Sequence, residues 1–309
     1  MTAAVASPAD LRDRLATTGY LCDEGLATIA YLTLALDRPL LLEGEPGTGK
    51  TALAEALAES LGLPLIRLQC FEGIDASQAL YDWDFPRQIL HLRAAEAATR
   101  GALDGTDAPR PDDVAELERS LYSEKYLVAR PVLRALRESP CVLLVDEIDR
   151  ADSEFEAFLL EVLATHQITI PELGTIRAEQ PPIVVLTSNR TRELHDALKR
   201  RCLYHWIDHP GLDRELAILR SRAPEVSAAL ADQVVHLVQE LRRDDELLKP
   251  PGVSETLEWA RALHVLGLRE LDPEAASAAV GAVAKHHDDA ERVRHALRRL
   301  VPADGSSGP

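Results

Sequence analysis

Cysteine is scarce in this chain, and its cysteines form no recognisable framework. Cys22, Cys70, Cys141 and Cys202 are the four among 309 residues, widely spaced and without a Cys-x-x-Cys pair. Neither a zinc site nor a set of disulfides is implied. Cys70 and Cys141 lie in apolar, strand-like runs and are expected to be core thiols. Basic residues are also few. Lys and Arg total 34 against 51 Asp and Glu, a net charge of −17. Such a balance argues against a surface coated for nucleic acid or anionic lipid, while leaving room for a local basic channel. No apolar run approaches the roughly 20 residues of a membrane-spanning helix. The start, MTAAVASPADLRDRLA, lacks a basic segment followed by an apolar block. Neither a transmembrane segment nor a signal peptide is expected, and a cytoplasmic location follows as the default. No internal repeat is discernible.

What is present suits a globular protein. Hydrophobic residues make up 46%, enough to fill a sizeable core. The length allows two domains, or one large domain and a smaller companion. The first 37 residues read as helix broken at Gly19. An apolar strand, PLLLEG, leads into a glycine-rich turn and the helix TALAEALAESLG, which ends at Gly62. A short strand, LPLIRLQC, follows. Residues 71–93 are mixed and suit an ordered functional loop as well as regular structure; Trp83 and Phe85 there fit a partner surface and plain packing equally. Residues 103–113 read as an exposed loop, and 114–139 as a helical run interrupted at Pro131. CVLLVDE and PIVVLTSN are two more fully apolar strands. Between them lie a helix with Phe155, Phe158, Leu159, Val162 and Leu163 on one face and a hairpin turning near Pro171 to Gly174. After Pro210 strand signals nearly stop, and about five helical segments follow. The expected layout is an α/β domain over 1–210, a helical domain over 211–302 and a disordered tail over 303–309.

The turn after the first strand carries chemistry. Gly44, Glu45, Pro46, Gly47, Thr48, Gly49, Lys50 and Thr51 fit G-x-x-x-x-G-K-[ST] in full, between an apolar strand and an amphipathic helix. The glycines let backbone N–H groups converge on phosphates, and the helix N-terminus adds partial positive charge. Lys50 reaches the terminal phosphates as a point charge, and Thr51 offers a hydroxyl to Mg²⁺. An acidic residue ending a hydrophobic strand should complete such a site. Asp146 does so and can hold Mg²⁺ through water. Glu147, next along, can activate water or merely cap the following helix, although Asp149 or Asp152 could do the capping. Asn189 ends the third strand, where it can contact a γ-phosphate or simply occupy a turn.

Arg200 and Arg201 close a short predicted helix. Both could be helix-end cations, stabilising by about 0.3–1 kcal/mol through the macrodipole. Arg200 has Asp196 four residues back as an expected ion-pair partner. Arg201 has Ala197 at that offset and extends the face of Leu194, Ala197 and Leu198. Arg201 is therefore favoured as an arginine reaching another subunit's nucleotide, with Arg200 as an ion-pair residue or secondary phosphate contact. His286, His287, Asp288 and Asp289 splay to different helix faces and read as solvated surface. His205 and His209 read as imidazoles packed near the domain junction.

With these residues in view, the chain resembles the AAA+ ATPases and, more narrowly, the MoxR family. The resemblance is most specific at LEGEPGTGKT, LVDEIDRAD and VLTSNRTRELHDALKRRC. YDWDFPRQ and ALKRRCLYHWIDHP are similar to the CoxD-type branch, associated with maturing the molybdenum and copper site of aerobic carbon monoxide dehydrogenase. The resemblance implies a five-stranded parallel sheet between helices, a helical lid, and ATP with Mg²⁺ at their junction. It implies a homo-oligomeric ring, usually a hexamer, with a metalloenzyme client and a von Willebrand factor A partner. It makes Gly44 to Thr51 the Walker A loop, Asp146 and Glu147 the Walker B pair, Asn189 sensor 1 and Arg201 the arginine finger. Tyr20 and Leu21 would lie against the adenine. The family's Ser-Pro-Arg stretch at a lid helix is replaced by VSET, which puts Thr256 where the sensor 2 arginine is expected. Arg261 lies too far around the helix to substitute. A nucleic-acid motor and an ATP-gated scaffold with little turnover remain as other classes; the negative charge weighs against the first and Glu147 against the second.

Overall fold

The computed structural model describes residues 5–102, 120–244 and 246–300. The expected loop at 103–113 and the expected tail at 303–309 lie outside the described residues. Five parallel strands form the central sheet: β1 (Leu40–Glu43), β2 (Leu65–Gln69), β5 (Val142–Asp146), β8 (Ile183–Ser188) and β9 (Leu203–Trp206). Their order is β2-β5-β8-β1-β9. The two faces explain the sequence pattern. β1 and β5 are buried at every residue, and β8 at all but its first, because helices cover both sides of these inner strands. β2 is an edge strand and alternates, with Ile66 and Leu68 buried and Leu65, Arg67 and Gln69 exposed. The helix Lys50–Leu61 packs Leu53, Ala54 and Leu57 against β1, β5 and β8. The helix Ser153–Thr165 buries Phe155, Leu159, Val162 and Leu163 on the other side, as its periodicity predicts.

In the middle of the chain one open reading is decided and one expectation is corrected. From Ala76 to Arg93 the chain is regular and not a loop. Asp75 and Gln78 form a capping box that starts the helix Ala76–Leu80; β3 (Tyr81–Trp83) and the helix Phe85–Ala102 follow. Trp83 packs edge-on against Tyr122, with ring centroids 5.3 Å apart, whereas Phe85 is exposed. Nor does the helical run continue to Pro131. Leu127–Ala129 is a strand, β4, paired antiparallel with β3. Pro131 opens the helix Pro131–Arg137 at its first turn, where a missing N–H costs nothing. Three residues are too few for a period, and the partner strand decides their conformation. The hairpin of β6 (Gln167–Ile170) and β7 (Gly174–Arg177) is as expected. Cys70, Cys141 and Cys202 are free and buried, and burial raises their thiols to about 12, 11 and 12.

Beyond β9 the described residues contain five α-helices: Leu212–Arg222, Ala228–Leu241, Val253–Val265, Pro273–Ala278 and His287–Leu300. They share a separate core around Leu230, Val234, Val238, Trp259, Leu263 and Leu297. We propose that the domain division falls near residue 210, between β9 and the first of these helices. Asp289 departs from the expected solvated surface. It is buried, and its carboxylate accepts from the backbone N–H groups of Leu248 and Lys249 at 2.9 and 3.2 Å; His286, His287 and Asp288 are exposed. The turn before residue 250 meets the helix there and needs an acceptor for those donors.

A buried ionic cluster ties this region together. Arg242 forks onto Glu215 at 2.5 and 2.7 Å, with 7% and 1% of the two side chains exposed. Thr256 donates to the same carboxylate at 2.8 Å, and Gln239 donates to it at 2.7 Å. Removing one partner strands the other's charge. Arg242→Ala is expected to destabilise by about 3–5 kcal/mol, read by urea denaturation followed by circular dichroism. A loss below about 1 kcal/mol would mean that Glu215 finds water instead.

Candidate functional site

The sheet's C-terminal edge holds the glycine-rich loop. Gly47 has φ 78°, and a Cβ there would sit 2.7 Å from Glu255 Oε2 and 3.1 Å from Gly252 Cα. A Cβ on Gly44 would stand 2.3 Å from the Ile207 carbonyl oxygen. Both positions therefore require glycine on steric grounds. Thr48 donates to the Glu45 carbonyl at 2.9 Å and tightens the loop. Lys50 is buried, and its Nζ donates to the carbonyls of Gly44 and Glu45 at 2.8 and 2.7 Å. Burial lowers its pKa to about 8 despite the carboxylates around it, and an incoming anion would favour the charged ammonium. Gly49 precedes the helix without a side-chain cap, which leaves the first-turn N–H groups to a ligand.

Asp146, at the end of β5, faces this loop and is 5% exposed at its side chain. Its Oδ1 accepts from the Thr51 hydroxyl at 3.0 Å and the Thr187 hydroxyl at 2.5 Å; its Oδ2 is ion-paired with Arg67. Thr187 also accepts from the Glu147 N–H at 2.9 Å. Glu147 has left-handed backbone, φ 55°, and its carboxylate is held by Gln69 at 3.1 Å and Arg150 at 2.8 Å. It is not the cap of the following long helix. Asp152 caps that helix through the Phe155 N–H, and Asp149 accepts from Thr191. Asn189 lines the same cavity as Pro46, Lys50, Thr51, Asp146 and Glu147. Thr51 and Asp146 offer hard oxygen donors side by side, a set that fits Mg²⁺.

A second, adjoining cleft opens on the other side of the loop. Tyr20 and Leu21 line it together with Gly49, Ile207 and Leu257. Burial raises the Tyr20 phenol, so it stays neutral. Asp23 and Arg214 form an ion pair at 2.6 Å across this cleft, joining the N-terminal helices to the helical region. The Val253 N–H donates to the Gly47 carbonyl at 2.9 Å and docks the helix Val253–Val265 on the phosphate loop. His205 and His209 are packed nearby, as expected, and burial lowers both; His209 falls to about 4. Thr256 is buried against Glu215 and lines neither cavity. Arg261 pairs with Glu225 at 3.2 Å, so neither residue supplies a lid cation here.

The expected ion pair between Asp196 and Arg200 is not formed. The helix Asp196–Arg201 has six residues, both arginines are exposed, and neither makes an ion pair among the described residues. An exposed i,i+4 pair gains only about 0.3–0.5 kcal/mol, too little to order two long, exposed side chains. The pairing argument for preferring Arg201 therefore falls; the argument from its helix face remains. Both arginines border a hollow with Arg38 and His166, whose lining shares no residue with this chain's phosphate cavity. Sequence reading missed Arg67, Gln69, Thr187 and Gly252. The alternation of LPLIRLQC held a signal for two of them, since polar residues two apart on an edge strand share one face.

Known proteins resemble this chain in sequence and in structure. An uncharacterized protein of Staphylococcus haemolyticus is 24% identical over 78% of this chain and 81% of its own length. The uncharacterized protein YehL of Escherichia coli K12 is 25% identical over 77% of this chain and 64% of its own. Among solved structures, the Thermotoga maritima RuvB Holliday junction branch migration motor is 16% identical, covers 89% of this chain and 70% of its own, and has a TM-score of 0.44. The sequence profile of the ATPase family associated with various cellular activities matches residues 40–207, which spans the loop, Asp146, Glu147, Asn189 and both arginines. The chain belongs to the AAA family of ATPases.

Proposed function

We propose that the chain hydrolyses Mg-ATP within a homo-oligomeric ring, and that turnover remodels a client protein. The observation that supports this best is the convergence of Lys50, Thr51, Asp146, Glu147 and Asn189 on one cavity at the ends of β1, β5 and β8. Lys50 and the loop amides bind the phosphates. Thr51 and Asp146 hold Mg²⁺, which when bound screens charge on the phosphate oxygens. Glu147, released from Gln69 and Arg150, takes the proton of the attacking water. A bond then forms between that water's oxygen and the γ-phosphorus as the β–γ bridging bond breaks. Asn189 orients the water or the γ-phosphate, and Tyr20 and Leu21 lie against the adenine. Arg201, with Arg200 beside it, acts on the neighbouring subunit's nucleotide; its absence from the lining of this chain's own cavity supports a role in trans.

For the client, the support is the similarity of YDWDFPRQ and ALKRRCLYHWIDHP to the CoxD-type branch of the MoxR family. We infer a cytoplasmic, hexameric ring whose client is a molybdenum or copper hydroxylase under maturation, aided by a von Willebrand factor A partner. The helical region transmits the work through its contact with the phosphate loop. Among the described residues, no helix is long and apolar enough to cross a membrane.

Glu147→Gln is expected to keep nucleotide binding and lower kcat roughly 10²- to 10⁴-fold in a phosphate-release assay. Hydrolysis at the wild-type rate would remove Glu147 from the mechanism. The same variant, held in ATP, should retain its client during purification. A molybdenum hydroxylase or a von Willebrand factor A protein is the expected catch, and nucleic acid would overturn the assignment. Arg201→Ala should lose activity by roughly 10³- to 10⁵-fold while binding ATP normally. Mixing it with a Lys50→Ala subunit should restore part of the activity. If Arg200→Ala alone has this phenotype, its neighbour is the wrong choice.

A further inference from the structure

Arg67 stands in the phosphate cavity, and the hydrolytic scheme above gives it no task. It projects from β2 on the same face as Gln69, whose Oε1 accepts from its guanidinium at 2.8 Å. The same guanidinium is ion-paired with Oδ2 of Asp146. The other oxygen of that carboxylate, Oδ1, is already shared by the hydroxyls of Thr51 and Thr187. Asp146 thus presents one oxygen to hydroxyls and the other to a cation. A magnesium ion beside Thr51 draws on this same carboxylate, directly or through its water ligands. The oxygen open to it is the one Arg67 occupies. A guanidinium and a divalent ion cannot share that oxygen without repulsion between like charges.

We propose that Arg67 is a built-in competitor of Mg²⁺ at Asp146 and sets the Mg²⁺ concentration that the site requires. The arrangement favours exchange over a permanent bond. Arg67 is half exposed at its side chain, 50%, whereas Asp146 is 5% exposed, so the arginine turns into solvent at little desolvation cost while the carboxylate stays fixed. Gln69 remains as a second partner for the displaced guanidinium. The carboxylate keeps a positive partner before and after the exchange, which avoids an uncompensated buried charge. Arg67 acts through Asp146 and is a positioning residue.

The inference rests on the reading of Thr51 and Asp146 as magnesium ligands, and one titration separates the two claims. Binding of a fluorescent ADP analogue is followed against MgCl₂ for the wild type, Arg67→Ala and Arg67→Lys, with a parallel titration in EDTA. Arg67→Ala is expected to lower the half-saturating Mg²⁺ concentration by about 1.5- to fivefold, the range for loss of one partly exposed ion pair. Arg67→Lys keeps the charge but loses the fork, and should shift it in the same direction by less. Binding in EDTA should change little in either variant. An unchanged or raised Mg²⁺ requirement, or a loss of binding in EDTA that marks Arg67 as a phosphate ligand, overturns the inference. A wild type whose binding ignores Mg²⁺ overturns the magnesium reading itself. Should Arg67→Ala fail to fold, the direction of the lysine variant's shift decides.

Discussion

One buried carboxylate organises the phosphate cavity. Asp146 ends the strand that lies between β2 and β8 in the sheet, and each neighbour sends it a side chain: Arg67 from one and Thr187 from the other. The third contact, Thr51, comes from the helix that the phosphate loop opens. A charge this deep is tolerated only when it is paired and hydrogen-bonded, so its partners are fixed by energy as well as by chain geometry. The consequence reaches Glu147. Thr187 accepts the Glu147 N–H while donating to Asp146, which holds the left-handed turn that lifts the next carboxylate towards Gln69. Helix, sheet and the two acidic residues are therefore set relative to one another by the same few bonds.

The helical region has its own charged centre, and it explains a departure in the sequence. Thr256 stands where the MoxR resemblance leads one to expect an arginine. Its hydroxyl is used internally, on Glu215, beside the Arg242 fork. An arginine at that position would bring a second guanidinium to a carboxylate already held by Arg242 and Gln239. What links the helical region to the nucleotide cavity is backbone instead. Val253 donates to Gly47, and Gly252 approaches so closely that a Cβ on it would lie 2.8 Å from Gly47 Cα. The Glu255 carboxylate, which accepts from the Gly252 N–H at 3.1 Å, fills the remaining space against Gly47.

The inner strands were legible because burial on both faces leaves a continuous apolar run, as in β1, β5 and β8. The loop was legible because its chemistry and its backbone require the same residues. The helix carrying Phe155 to Leu163 was legible from its period. β4 was not, since three residues have no period and take their conformation from Tyr81–Trp83 across the pair. Asp289 was misread for a similar reason: helix neighbours are visible in a sequence, but the Leu248 and Lys249 N–H groups that it receives are about forty positions away. Arg67 and Gln69 lay in plain view as the polar half of an edge strand. Their importance depends on the strand beside them, and a sequence without its topology does not name that strand.

Arg200 and Arg201 bring these scales together. Pairing with Asp196 was an argument from local energy, and the local energy is too small to act on. What distinguishes the pair is how its helix is mounted. At the N-terminus, the His195 N–H donates to Glu156 at 2.8 Å, and Glu156 is 1% exposed and ion-paired with Arg192. At the C-terminus, Arg38 donates to the carbonyls of Arg200 and Arg201 at 2.9 and 3.3 Å. Six residues would be marginal as a helix alone, yet both ends are fastened to the body of the domain. The backbone is held while the two guanidinium groups extend into solvent. A charge that must meet a phosphate on another subunit needs this combination, because a mobile mount would forfeit the entropy that a preorganised contact saves. The geometry thus favours the proposed role in trans over a helix-end charge, for which no such fastening is needed.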